Sequence, residues 1–117
     1  MIIETYSGLK MLHLLISGKV QGVFFRVTAK QIADKHNVTG WIRNTSSGDV
    51  DVYVVGHETN VTALLNWCHK GPSYANVTKV TRVPLTQTEK QTLYNTYTGT
   101  KQAQPIRRYL KSKGPFK

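Results

Sequence analysis

An apolar run, Met11-Leu-His-Leu-Leu-Ile16, leads directly into a glycine-bearing segment, Gly18-Lys-Val-Gln-Gly-Val-Phe-Phe-Arg26, and then into Val27-Thr-Ala-Lys-Gln-Ile-Ala-Asp-Lys-His36. This succession constrains the fold more than any other feature. The first run, taken as about 11–17, is too short for a buried helix and apolar on both faces, as a central strand is. In the last stretch Phe25, Ala29, Ile32, Ala33 and His36 recur at helical spacing, so a helix is expected over about 26–36. Residues 18–25 therefore form a loop between a strand and a helix N-terminus. Such a place offers unpaired backbone N–H groups and the positive end of the helix dipole, which together suit an anion. Gly18 and Gly22 allow the backbone to curl so that successive N–H groups converge. Arg26 adds a guanidinium fork shaped for two phosphate oxygens. The physical reading is a phosphate cradle with one fixed cation. The bland alternative is a tight turn beside a solvated arginine, because short glycine motifs are weak evidence.

The rest of the chain continues in short elements. Asn37 is a good left-handed residue to end the first helix, and Val38 and Thr39 restart extended chain. A strand is expected over about 38–44, a turn at Thr45-Ser-Ser-Gly48, and a second strand over about 49–55. In that second strand Val50, Val52 and Val54 alternate with Asp49, Asp51 and Tyr53, which predicts a hairpin with one buried and one solvated face. A second helix is expected over about 58–69, with Val61, Leu64, Leu65 and Cys68 inward and Gly71-Pro72 as its stop. A strand over about 76–84 follows. Its Val77, Val80 and Val83 break strict alternation, as a bulge would make them do. The order β-α-β-β-α-β predicts an α+β, ferredoxin-like split βαβ fold: two helices on one face of an antiparallel sheet.

Size and charge bound the function. A chain of 117 residues is one domain. Its single cysteine, Cys68, reads as a core residue and points to a reducing, cytoplasmic setting. Glu4 falls where a secretory leader needs an apolar core, and no apolar stretch is long enough to span a membrane. Net charge is +10, which suits steering of an anionic small substrate and also polyanion binding. Part of the excess lies in Arg107, Arg108, Lys111, Lys113 and Lys117, a basic tail rather than a groove. The four histidines, 13, 36, 57 and 69, show no metal-ligand spacing, and no metal or cofactor is expected. Asp49 and Asp51 read as solvated. Phe24, Phe25, Trp41, Tyr53, Trp67 and Tyr74 raise the possibility of base stacking, yet no aromatic-rich RNA-binding strand is present. Nucleic acid is disfavoured as a partner, and a monomer is expected.

The string Gly18-x-Val20-Gln21-Gly22-Val23-x-Phe25-Arg26 closely resembles the acylphosphatase signature. The second half of that signature follows as Gly40-Trp-Ile-Arg-Asn44-Thr-Ser-x-Gly48, with Ser47-Gly48 in place of the commoner Asp-Gly turn. The resemblance extends over about residues 12–84. It implies a small enzyme that hydrolyses acyl phosphates to carboxylate and inorganic phosphate without metal, with phosphate as both product and inhibitor. It further implies that Arg26 binds the phosphoryl group and Asn44 orients the attacking water. The loop residues Gly18, Lys19, Val20, Gln21, Gly22, Val23, Phe24 and Phe25 then form the cradle. The alternative is a non-catalytic basic ferredoxin-like module that binds phosphate or nucleic acid. Similar domains also occur inside larger hydrogenase-maturation proteins; a freestanding chain of this length favours the small enzyme. The family closes with an edge strand of Phe-x-Ile-Arg type. Tyr94–Thr98 and Gln104–Tyr109 are the candidates, and the second is preferred, with Tyr97-Thr98-Gly99 in the preceding loop. Residues 1–10 are then an N-terminal extension, 11–109 the catalytic domain and 110–117 a basic tail.

Overall fold

The computed structural model describes residues 8–99. Within them the chain runs β1 (Leu9–Lys19), α1 (Phe25–Lys35), β2 (Thr39–Asn44), β3 (Val50–His57), α2 (Glu58–Lys70), β4 (Asn76–Val83) and α3 (Gln87–Gly99). The four strands form one sheet in the order β2-β3-β1-β4, and every neighbouring pair is antiparallel. This is the ferredoxin-like α+β arrangement.

One face of the sheet is built by simple alternation. Leu12, Leu14 and Ile16 of β1, Ile42 of β2, and Val50, Val52 and Val54 of β3 point into a single apolar cluster. The inward stripes of α1 (Phe25, Ala29, Ala33) and α2 (Val61, Leu64, Leu65, Cys68) close it. Asn37 takes the left-handed conformation after α1, and the Gly71 N–H bonds back to the Trp67 carbonyl at the end of α2. Burial pushes the Cys68 thiol up to about 12, so it is a core side chain and not a nucleophile.

The other face departs from expectation. Residues 87–99 form a helix, so Tyr94–Thr98 is not a strand and Tyr97–Gly99 is not a loop. The preferred edge strand, Gln104–Tyr109, lies outside the described residues. Local chemistry explains the helix. Glu89 N–H donates to Thr86 Oγ1 at 3.0 Å, and Thr86 N–H donates to Glu89 Oε1 at 2.9 Å, a reciprocal capping box. Leu93 is fully buried against Tyr53 and Val55, with Leu9, Met11, Trp41, Leu85 and Tyr97 around them.

The cover changes the fate of β3. Asp51 and Tyr53, expected on a solvated face, are both buried. Asp51 Oδ1 accepts a hydrogen bond from His13 Nε2 at 2.8 Å, and its Oδ2 accepts one from Arg43 Nε at 3.2 Å. Since an ionised carboxylate only accepts, His13 carries its proton on Nε2 in this bond. The rings of Trp41, Tyr53 and His13 stack across three adjacent strands, with centroids 5.2 and 3.9 Å apart. Trp41 and Tyr53 are thus packed among themselves and under α3, unlike an open platform for bases. Burial, and next the Glu89 carboxylate, hold the Tyr53 phenol above its ordinary value.

The irregular valine pattern of β4 also has a local cause. Ser17 pairs with Lys79 but Gly18 pairs with Val77, which leaves Thr78 as an extra residue on β4.

Candidate active site

The glycine-bearing segment is shorter as a loop than its sequence implies. Gly18 and Lys19 are the last residues of β1, and Phe25 is the first residue of α1. Gly18 is required on two counts: its φ is 120°, and its strand neighbour leaves no room for a side chain. The bulged backbone of β4 runs so close that a Cβ there would collide with the carbonyl oxygen of Asn76 and the nitrogen of Thr78. Gly22 is the residue that curls the loop: its φ is 74°, and open space surrounds it.

Between these ends the side chains alternate between anchors and projections. Val20, Val23 and Phe25 are buried in the main core, and the Phe25 ring lies 5.0 Å from that of Trp67. Gly22 and Phe24 face outward. Three buried side chains within six residues hold the loop backbone in one shape. That matters for any site whose work is done by backbone N–H groups, because a preorganised donor needs no reorganisation during reaction.

The start of α1 breaks three local rules at once. No side chain caps it, its first turn carries no acid, and its N-cap residue, Phe24, is in the left-handed region at φ 66°, ψ 22°. A bulky residue held there costs about 1–3 kcal/mol. Arg26 at the second helical position adds a cation beside the positive end of the dipole, unfavourable by roughly 0.3–1 kcal/mol. By contrast α2 begins with Glu58 and α3 with its capping box, both of the ordinary stabilising kind. The exception falls at the end of the helix where an anion would offset the electrostatic part of those costs.

The turn that follows Asn44 is tied to this loop by a bond the sequence does not reveal. Gln21 Nε2 donates to the carbonyl oxygens of Thr45, at 2.9 Å, and Asp49, at 2.8 Å. One amide in the first motif therefore grips both sides of the hairpin turn in the second. Asn44 is the last residue of β2, opposite Val50 and next to Thr45. The turn itself is held by Thr45, whose Oγ1 accepts the Asp49 N–H at 3.1 Å and whose N–H donates to the Asp49 carbonyl at 2.9 Å. Thr45, not Asn44, supplies the side-chain acceptor on which the turn is built. Among the described residues no cluster of three or more His, Cys, Asp or Glu side chains could hold a metal ion, and no helix is long and apolar enough to cross a membrane.

The described residues form a ferredoxin-like sandwich whose β1–α1 loop is anchored in the core and tied to the β2–β3 turn. Residues 12–96 match the acylphosphatase family. The chain is 42% identical over 84 residues to an acylphosphatase from Marinobacter nauticus, covering 72% of this chain and 91% of that one. Among solved structures it is similar to an acylphosphatase from Coxiella burnetii, at a TM-score of 0.62 and 34% identity, covering 68% of this chain and 86% of the other. It is also similar to acylphosphatase from Bacillus subtilis, at a TM-score of 0.59 and 28% identity, covering 68% of this chain and 89% of that one. The chain belongs to the acylphosphatase family and is an enzyme that hydrolyses acyl phosphates.

Proposed function

We propose that this acylphosphatase works by holding and neutralising the phosphoryl group in the Val20–Phe24 loop while Asn44 aims a water at phosphorus. The observation that supports this reading best is the Gln21 bridge, which joins the loop to the turn that carries Asn44. Arg26 meets two phosphate oxygens with its fork, and the loop and first-turn N–H groups meet the others. The water attacks in line, the P–O bond to the acyl oxygen breaks, and the carboxylate leaves as a stable anion. The substrate's own phosphate accepts the water proton. An acyl phosphate is already activated, so positioning and electrostatic stabilisation suffice without a nucleophilic side chain or metal. Inorganic phosphate, the product, occupies the same cradle and inhibits. Apart from the mechanism, a monomeric cytoplasmic enzyme is proposed, with a catalytic domain that begins with β1 at Leu9 rather than at residue 11, and with residues 110–117 as a basic tail.

The test is hydrolysis of benzoyl phosphate by the intact chain, with and without EDTA. Turnover should be equal in both. Activity lost in EDTA and restored by Mg²⁺ or Zn²⁺ would overturn the mechanism. Arg26→Ala should abolish both turnover and phosphate inhibition, and Arg26→Lys should rescue poorly, because a point charge cannot reproduce a bidentate contact.

A further inference from the structure

We propose that the side chain of Gln21 is a positioning residue for hydrolysis: its amide sets the β2–β3 turn, and with it Asn44, at one place against the β1–α1 loop. This rests on Asn44 as the group that orients the water. It gives a task to a side chain that the cradle itself uses only through its backbone.

The turn closes on itself without Gln21. Thr45 N–H donates to the Asp49 carbonyl at 2.9 Å, and Gly48 N–H donates to the Thr45 carbonyl at 3.3 Å. Asp49 N–H adds a bond to Thr45 Oγ1 at 3.1 Å. Each of the two carbonyl oxygens then has a second lone pair to offer. Gln21 Nε2 takes both, at 2.9 Å on Thr45 and 2.8 Å on Asp49. An amide nitrogen carries two N–H groups, one for each carbonyl. Because both partners are acceptors, the amide oxygen cannot stand in for the nitrogen, and chemistry alone fixes which way the Gln21 side chain faces.

The two ends of this bridge are held differently. Val20 and Val23, buried on either side of Gln21 and Gly22, pin the loop backbone to the main core. Asn44, the last residue of β2, pairs with Val50, which fixes it relative to β3. That pairing does not relate Asn44 to the loop, whereas the Gln21 bonds do, across 24 and 28 residues of sequence. Losing the amide leaves both carbonyls their turn bonds, so the turn persists and shifts against the loop. A displacement of about 1 Å at a reacting group is enough to cost about 10²-fold in rate.

The experiment measures kcat for benzoyl phosphate and the Ki of inorganic phosphate in the intact chain carrying Gln21→Met, Gln21→Glu, Asn44→Ala, or Gln21→Met and Asn44→Ala together. Circular dichroism melts give the folded fraction of each. Gln21→Met keeps the length of the side chain and removes its donors, and Gln21→Glu sets an acceptor against two carbonyls. The kcat should fall about 10- to 100-fold in Gln21→Met and at least as far in Gln21→Glu. The phosphate Ki should stay within a few-fold of wild type, because the loop keeps its buried anchors. In the Asn44→Ala background Gln21→Met should change kcat by less than about 3-fold, since nothing is left for it to position. A normal kcat in Gln21→Met would show that pairing with Val50 alone places Asn44, and would overturn the proposal. So would independent, multiplying losses in the double variant, a Ki that rises in step with the loss of kcat, or a Gln21→Met chain that does not fold. A near-normal kcat in Asn44→Ala would instead remove the reading of Asn44 and the proposal with it.

Discussion

The two faces of the sheet are built on different principles. The face under α1 and α2 is apolar, and its strand and helix residues follow strand and helical periodicity. The face under α3 mixes a leucine, stacked rings and a carboxylate shared between His13 and Arg43. The first face also holds the active-site loop, because Val20, Val23 and Phe25 are part of its core. The second holds no residue of the proposed cradle. The difference separates two arrangements: dispersive packing of α1 and α2 closes the first core, whereas the second combines apolar packing of α3 with strand-to-strand bonds among His13, Asp51 and Arg43.

That division can be broken from either side. The largest effect is expected on the catalytic face. Phe25→Ala should cost about 3–5 kcal/mol, the usual penalty for a large buried aromatic, and should also raise the phosphate Ki, since Phe25 anchors the loop. Leu93→Ala, on the other face, should cost at the lower end of the range for a buried leucine, about 2 kcal/mol, with kcat unchanged in the folded fraction. Denaturant melts paired with benzoyl phosphate kinetics separate the two. A fall in kcat for Leu93→Ala would show that α3 and the site are coupled.

Asp51→Ala should be of similar size, about 1–3 kcal/mol, because it strands a largely buried histidine whereas half-exposed Arg43 can turn to solvent. Its activity should again follow only the folded fraction. The last effect is confined to alkaline pH. The folded state keeps the Cys68 and Tyr53 protons at pH values where the unfolded chain has lost them, so stability should fall as pH rises above about 9. Cys68→Ala should make that decline shallower between pH 9 and 12. Equal slopes in both proteins would show that Cys68 is accessible to solvent in the native state.

The same contrast explains how much could be read from the chain alone. Periodicity identifies α1, α2 and the strands of the apolar face because each residue's environment is set by near neighbours. Asp51 cannot be read that way. It is held by His13 and Arg43 from the neighbouring strands, and the helix that covers Tyr53 and Val55, α3, is disguised by Thr92, Tyr94, Thr96, Tyr97 and Thr98, residues that favour strands. The signal that was available is the Thr86-x-x-Glu89 capping box after Pro84. In the site, the two motifs name Arg26 and Asn44, but the bond that unites them does not appear in either. Gln21 finds its acceptors 24 and 28 residues away. Gly18 was legible as a required glycine through its backbone freedom, but the crowding that adds to it was not, because the bulge responsible lies on β4.

The central claim is that Arg26 and the loop hold phosphate while Asn44, delivered by the Gln21 bridge, serves the water. The most direct measurement is kcat together with the phosphate Ki for folded Asn44→Ala. An asparagine amide can hold and aim a water but has no charge with which to bind phosphate strongly. The account predicts a kcat lower by about 10²–10³, the scale of one lost transition-state contact, with the phosphate Ki within a few-fold of wild type. A near-normal kcat, or the loss of turnover and phosphate binding together, would contradict it.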